Sequence, residues 1–82
     1  MNRLYVHDSS PHSSTLTLRD DRGNFHLARA TAELPEPGSE LEGIAPSLGF
    51  TILRGAQTGR MYRVIFELVN TDQHATMTRL EP

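Results

Sequence analysis

The longest apolar pattern in the chain lies in residues 61–70, where Arg63 and Glu67 are the only charged side chains among hydrophobic ones. Side chains of a strand point to opposite faces in turn, so this segment has one wholly apolar face, formed by Tyr62, Val64, Phe66 and Leu68. The opposite face is mixed and holds Met61, Arg63, Ile65, Glu67 and Val69. At about 3.3 Å per residue the strand would span roughly 33 Å. A strand of that length in a small domain bends to serve two sheets or closes a barrel.

A hairpin is predicted upstream of this strand. Residues 15–20 alternate, with Leu16 and Leu18 on one face, and residues 25–32 form the returning strand, with Phe25 and Leu27 sharing a face. The connection Asp-Asp-Arg-Gly-Asn at 20–24 is typical of a type I turn followed by a left-handed glycine.

The remaining segments predict shorter strands at 3–7, 49–54 and 74–80. An alternative for the N-terminus is that residues 1–13 form a weakly ordered tail. The chain is therefore expected to be all-β: one domain over residues 1–82, a small antiparallel barrel or sandwich of five to six strands.

Residues 33–48 interrupt the strands with a long connection rich in Pro, Gly and Glu. The Pro37–Gly38 pair fits a type II turn. After this turn, a short strand across residues 40–44 with Leu41 inward and a single turn of helix are both compatible with the sequence. Because a loop of this length is uncommon in a compact domain, it is expected to pack through four apolar side chains: Leu34, Leu41, Ile44 and Leu48.

Composition limits the cellular setting. The sequence has 82 residues, no Cys and no apolar run near the ~20 residues of a membrane helix. Its N-terminus lacks the apolar core of a secretory signal. A chain without disulfides relies on packing alone, which favours a cytoplasmic location.

The charge pattern suggests a binding role. All eight basic residues are Arg, and the net charge is −2. Residues 33–48 carry four Glu and no base, whereas residues 49–70 carry Arg54, Arg60 and Arg63 against Glu67. An acidic loop beside a basic hairpin suggests complementarity to a partner or to a second copy, the alternative being scattered solvated charge.

Catalytic and metal-binding patterns are weak. His7, Asp8 and His12, with His26 or His74, could supply metal ligands, but their spacing matches no known metal signature and no Cys is present. Serines near these histidines lack a nucleophile elbow. Without Lys the chain cannot form a Schiff base. We therefore expect no enzyme activity, no cofactor and no metal.

The mixed face of the long strand is the candidate contact surface. If only one face of the strand is buried, the other can bind an unidentified protein or a second copy of the chain, unless the connection 33–48 covers it. The predicted partner-binding residues are Met61, Arg63, Ile65, Glu67, Val69, Arg54 and Arg60. The function expected first is a non-catalytic protein-interaction module, such as a small bacterial accessory, regulatory or inhibitor protein.

The alternative function is nucleic-acid binding by a small barrel of the OB or SH3-like type, which combines Arg with strand aromatics. Its candidate phosphate contacts are Arg54, Arg60, Arg63, Arg22 and Arg29. The net charge of −2 does not favour this alternative.

Overall fold

Residues 2–71 fold into a closed barrel of six antiparallel strands. A computed structural model describes the backbone of residues 2–71 and the side chains of residues 2–69. The strands are β1 (Asn2–Ser10), β2 (Thr15–Asp20), β3 (Phe25–Ala30), β4 (Glu40–Gly43), β5 (Gly49–Gly55) and β6 (Met61–Thr71). Around the barrel their order is β1-β2-β3-β6-β5-β4, and β4 pairs back onto β1. The all-β prediction is confirmed. Of the two predicted architectures, a barrel or a sandwich, the chain forms the barrel. Within the described part, no helix is long and apolar enough to cross a bilayer.

Alternation along the strands fills the barrel interior. The apolar face predicted for β6 is buried at Tyr62, Val64 and Phe66, and Leu53 of β5 packs beside it. Leu16 and Leu18 of β2 enter the same core, which is completed by Leu4, Val6, Ala28 and Leu41. Burying side chains of this kind contributes about 1.5–3 kcal/mol each and is the main stabilising term.

The β2–β3 hairpin forms as predicted. Gly23 has φ 88°, which is the left-handed residue expected in the loop. The Asp20 carbonyl accepts from Gly23 N at 3.2 Å, and the Asn24 carbonyl accepts from Asp20 N at 3.0 Å. Strand β3 ends at Ala30 rather than at residue 32.

The N-terminal segment is a strand of the barrel and not a weakly ordered tail. β1 extends from Asn2 to Ser10 and pairs with β2 on one side and β4 on the other. The register with β2 shifts between Val6 and Asp8, which leaves His7 as an extra residue. Sequence reasoning predicted only residues 3–7, because polar residues 8–10 lack an apolar alternation.

The connection 33–48 contains the strand that closes the barrel. β4 places Leu41 in the core, as the short-strand alternative required. Gly38 has φ 89°, and Ser39 N donates to the Glu36 carbonyl at 3.1 Å, so the predicted Pro-Gly turn is present. Leu34 packs against the core. Ile44 and Leu48, in contrast, do not pack inward, since both are largely exposed.

Strand β6 changes face before it ends. Its register with β3 shifts so that Leu68 opposes Leu27 while Phe66 opposes Ala28, and Glu67 is the extra residue between them. The bulge reverses the alternation, so Val69 packs against the core. The prediction that Val69 lies on the outer face is therefore wrong. The predicted strand at 74–80 lies outside the described residues.

Candidate functional site: the β5–β6 outer face

Two neighbouring strands place their outward side chains on one surface. Cross-strand partners are Phe50 with Ile65, Ile52 with Arg63, and Arg54 with Met61. Of the residues that alternate with them, Leu53, Tyr62 and Val64 lie in the core. We call this surface the β5–β6 outer face and define it as Phe50, Ile52, Arg54, Met61, Arg63 and Ile65.

The apolar side chains of this surface are open to solvent. Phe50 and Met61 are each 62% exposed, and Ile52 and Ile65 are about 40% exposed. Single exposed hydrophobic residues are normal on protein surfaces, but four large ones on adjacent strand positions form a contiguous patch. Patches of that kind mark contact surfaces more often than isolated side chains do.

A groove borders the patch where β4 separates from β5. The ladder between these strands contains only two pairs, Leu41 with Gly55 and Glu42 with Arg54. Beyond it the chain diverges and leaves a groove of about 700 Å³. The groove is lined by Asn2, Glu42, Gly43, Ile44, Ala45, Ile52, Arg54 and Met61. The connection 33–48 therefore borders the outer face without covering it.

The two glutamates of β4 are neutralised by one arginine of β1 and one of β5. Arg54 donates to Glu42 at 2.8 Å, and Arg3 donates to Glu42 at 3.0 Å and to Glu40 at 3.2 Å. The hydrogen bond from Arg54, followed by that from Arg3, lowers the pKa of Glu42. The hydrogen bond to Glu42 and the charge of Glu40 raise the pKa of Arg3. These exposed pairs orient the side chains more than they stabilise the fold.

Two further arginines also have carboxylate partners. Arg60 pairs with Glu33, and Arg29 pairs with Glu67 at 3.3 Å. Much of the predicted complementarity between the acidic connection and the basic hairpin is thus satisfied within the chain.

Arg63 differs from these arginines. No carboxylate lies within ion-pair distance of its guanidinium among residues 2–69. Its backbone is fixed, because the Arg63 carbonyl accepts from Thr31 N at 2.9 Å and from Thr31 Oγ1 at 3.3 Å. Its side chain lies on the outer face between Met61 and Ile65. Arg63 therefore places a cation with no counter-charge among residues 2–69 in the middle of the apolar patch.

The structure brings together only part of the predicted contact set. Met61, Arg63, Ile65 and Arg54 share the outer face, whereas Arg60 precedes β6 and Glu67 sits in its bulge. Sequence reasoning missed Phe50 and Ile52 as contact residues. The available signal was their spacing: Phe50 and Ile52 alternate with the same period as Arg54 and so share its face of the strand. That spacing identifies contact residues only once the register of the hairpin is known.

The arginines proposed to contact phosphate do not form one surface. Arg22 lies in the 20–24 loop, near the end of the barrel where Phe25 pairs with Thr71. Arg60 lies at the opposite end, just before β6 begins at Met61. Arg54 and Arg63 share the outer face, and Arg29 lies beside it on β3, opposite Ile65.

A separate polar contact lies inside the barrel at the end of the β2–β3 hairpin. His26 is fully buried, and its Nε2 lies 3.0 Å from Asp20 Oδ2. Asp20 Oδ1 accepts from the backbone N–H groups of Arg22 and Asn24, each at 2.9 Å. Burial raises the pKa of Asp20, but the hydrogen bonds from His26, Asn24 and Arg22 together outweigh it and hold that pKa below its ordinary value. This arrangement braces the hairpin loop.

His7 and His12, the two other histidines among the described residues, are not grouped with His26 and Asp20 as possible metal ligands. The His7 ring packs edge-on against the Phe25 ring, with 5.1 Å between the two ring centroids. His12 lies exposed in the turn after β1. Across the described residues, no three His, Asp or Glu side chains are grouped as metal ligands. His74 lies outside those residues.

No protein-family model matches the chain, and neither curated proteins nor solved structures give a significant match. Function is therefore inferred from the geometry and charge of the barrel surface.

Proposed function

We propose that this protein is a non-catalytic interaction module that binds a protein partner through the β5–β6 outer face. The observation that carries the proposal is the set of four large apolar side chains exposed on adjacent strands: Phe50, Ile52, Met61 and Ile65. A partner that covers them would remove their apolar surface from water, which contributes a favourable free energy of roughly 25 cal/mol per Å².

The composition of the face suits protein recognition. Aromatic residues, Met and Arg are enriched in the centres of protein interfaces, and this face combines Phe50, Met61, Arg54 and Arg63. A sheet whose inner side packs in a barrel core presents these side chains with little backbone freedom to lose on binding. Rigidity of that kind lowers the entropy cost of association.

The chemistry of the face supports binding rather than catalysis. Its polar side chains are guanidinium groups, which stay charged near neutral pH and are poor proton-transfer groups. We propose that the module acts as a small accessory, regulatory or inhibitor protein in a bacterial cytoplasm. A Cys-free sequence of 82 residues supports that location.

The proposal is tested by affinity capture with four baits: wild type, Phe50→Ser, Ile65→Arg and His12→Ser. His12 is exposed in the turn between β1 and β2, outside the defined outer face, and serves as the matched control. We expect the wild-type and His12→Ser baits to retain the same protein from nuclease-treated extract, and the two face variants to retain at least tenfold less. Equal capture by all four folded baits, or capture by none, would reject the proposal.

Nucleic-acid binding is the second candidate, and the exposed Phe50 near Arg63 is the observation that favours it. A base could stack on the ring while the guanidinium contacts a phosphate. Against it, Arg29, Arg54 and Arg60 are already paired with Glu. Titration of a single-stranded oligonucleotide at two salt concentrations separates the candidates, because phosphate-driven binding weakens steeply with salt. Salt-sensitive binding lost in Arg63→Gln would favour this second function.

A further inference from the structure

We infer that the partner segment carries a carboxylate flanked by large apolar side chains, and that this carboxylate pairs with Arg63. The inference rests on the proposed function and specifies the chemistry of the partner. It follows from the position of an unneutralised guanidinium within the apolar patch.

The first step is a comparison among the arginines of the barrel wall. Arg3, Arg29 and Arg54 are each within ion-pair distance of a glutamate. Arg19 lies over the Tyr5 ring, 5.6 Å from its centre. Within residues 2–69, Arg63 has neither a carboxylate partner nor a ring partner, although it lies on the same kind of exposed strand position. Its charge is therefore available to an external group.

The second step concerns what happens when the face is covered. Arg63 lies between Met61 and Ile65 on β6 and opposite Ile52 on β5. A partner that buries those three side chains also removes water from the guanidinium. A buried charge without a counter-charge costs several kcal/mol. A partner that binds this face must therefore supply an acceptor, and a carboxylate matches the guanidinium fork with two parallel hydrogen bonds.

The third step distinguishes this partner from a second copy of the chain. In a symmetric dimer the same patch meets itself across a two-fold axis. Because Arg63 occupies the middle of the patch, stacking the face on its own copy places two guanidinium groups near each other. That arrangement leaves both charges unpaired and disfavours self-association through this face.

The fourth step distinguishes it from a nucleic-acid strand. A phosphate backbone carries a charge at every nucleotide and needs several cations in a row. On the side of β5 next to the groove, Arg54 is already paired with Glu42, and Arg3 is paired with both Glu40 and Glu42, so neither arginine is available to a phosphate. One available cation among four apolar side chains fits a single carboxylate in an apolar segment better.

The groove supplies a place for a neighbouring apolar side chain of the partner. It lies beside Ile44, Ile52 and Met61, and its volume of about 700 Å³ accommodates a large side chain with room to spare. The partner segment is thus expected to combine an apolar anchor for the groove with a nearby Asp or Glu for Arg63.

The test is selection from a displayed library of random 12-residue peptides on four folded proteins: wild type, Arg63→Gln, Arg63→Glu and the control Arg22→Glu. We expect wild type and Arg22→Glu to enrich peptides with Asp or Glu next to large apolar residues. Arg63→Glu should instead enrich Lys or Arg at the same place. A synthetic wild-type-selected peptide should bind Arg63→Gln at least tenfold more weakly, and changing its acidic residue to the amide should weaken binding to wild type but not to Arg63→Gln.

The outcomes separate this inference from the proposed function. Apolar peptides that bind the face with no charge preference, and no change in Arg63→Glu, would overturn the carboxylate pairing while leaving the interaction module intact. Selection of no peptide, or of peptides insensitive to Phe50→Ser, would overturn both. Concentration-dependent self-association lost in Ile65→Arg, or salt-sensitive oligonucleotide binding, would assign the face to a second copy or to nucleic acid and also overturn the inference. Circular dichroism confirms that each variant is folded.

Discussion

The two hairpins β2–β3 and β5–β6 carry similar apolar alternation but differ on their outer sides. In β2–β3 the side chains opposite the core, Thr17 and Leu27, are no more than 2% exposed, and Thr15 and Phe25 are also buried. In β5–β6 the equivalent side reaches 62% exposure at Phe50 and Met61. Covered outer residues add to stability, whereas uncovered ones are available for recognition. Apolar content alone does not distinguish the two uses.

The largest expected effect comes from truncating a covered outer residue. Leu27→Ala should lower the free energy of unfolding by about 2–5 kcal/mol, because it leaves a cavity in a closed environment. Ile65→Ala, on the uncovered hairpin, should cost under about 1 kcal/mol, since much of that side chain already contacts water. Urea unfolding of both variants measures the difference. Equal losses would remove the distinction between the hairpins.

A smaller effect on stability is expected at Asp20, whose carboxylate accepts hydrogen bonds within the covered β2–β3 hairpin. Asp20→Ala removes the carboxylate contacted by His26 Nε2 and the acceptor of two backbone N–H groups, and should cost roughly 1–3 kcal/mol near neutral pH. Thermal unfolding in matched buffers measures the loss. Asp21→Ala in the same loop is the control, and an equally large effect there would contradict the role given to Asp20.

The same carboxylate predicts a pH dependence. The pKa of Asp20 is lowered from its ordinary 3.8, so its contribution is present above that value and is lost as the pH falls through the lowered folded-state pKa. Wild type should therefore lose stability below about pH 4, and Asp20→Asn should show a flatter acid dependence. If the stability of both proteins decreased equally as the pH fell, Asp20 would be excluded as a source of that loss.

A stabilising change is expected at Thr17. Its Oγ1 is buried and has no hydrogen-bond partner among the described residues. Thr17→Val keeps the shape while removing the unsatisfied hydroxyl, and should raise stability by about 1 kcal/mol, or Tm by roughly 4–8 °C. Thr17→Ser retains the hydroxyl and should give no gain. Calorimetry of wild type, Thr17→Val and Thr17→Ser measures the three Tm values. A Thr17→Val protein no more stable than wild type would contradict the prediction.

The smallest effect on stability is expected on the uncovered hairpin. Ile65→Arg should change the free energy of unfolding by no more than about 0.5 kcal/mol, because the new side chain extends into solvent. Chemical unfolding tests this. A large loss would show that Ile65 supports the barrel, and its use as a binding probe would then fail.

The strands with strong alternation were predictable, and the elements fixed by tertiary pairing were not. Tyr62, Val64 and Phe66 lie in the core as their spacing required, and β2 has its predicted bounds. β4 remained an open alternative because Leu41 is the single core residue in a segment otherwise rich in Glu and Gly. Its pairing with β1 and β5, rather than its own propensity, defines it.

The candidate site was predictable in part. Arg63 and Ile65 followed from the face opposite the core, but the bulge at Glu67 moved Val69 inward. A one-residue insertion reverses the side chains that directly follow it, here Leu68 and Val69, and no local sequence signal marked it. Phe50 joins the site through its register with Ile65, which depends on how the two strands align. Cross-strand alignment, more than residue type, limits such predictions.

The pairing of β1 with β4 has a kinetic consequence. The side-chain bonds from Arg3 to Glu40 and Glu42 join positions 37 and 39 residues apart. Contacts at that separation carry an entropy cost of loop closure before their own favourable energy is gained. We therefore expect the chain to fold slowly, as β proteins rich in non-local contacts do. Until β1 docks, β2 and β4 present unpaired edges to neighbouring chains. Refolding yield should therefore fall as protein concentration rises, even where the native barrel itself is stable.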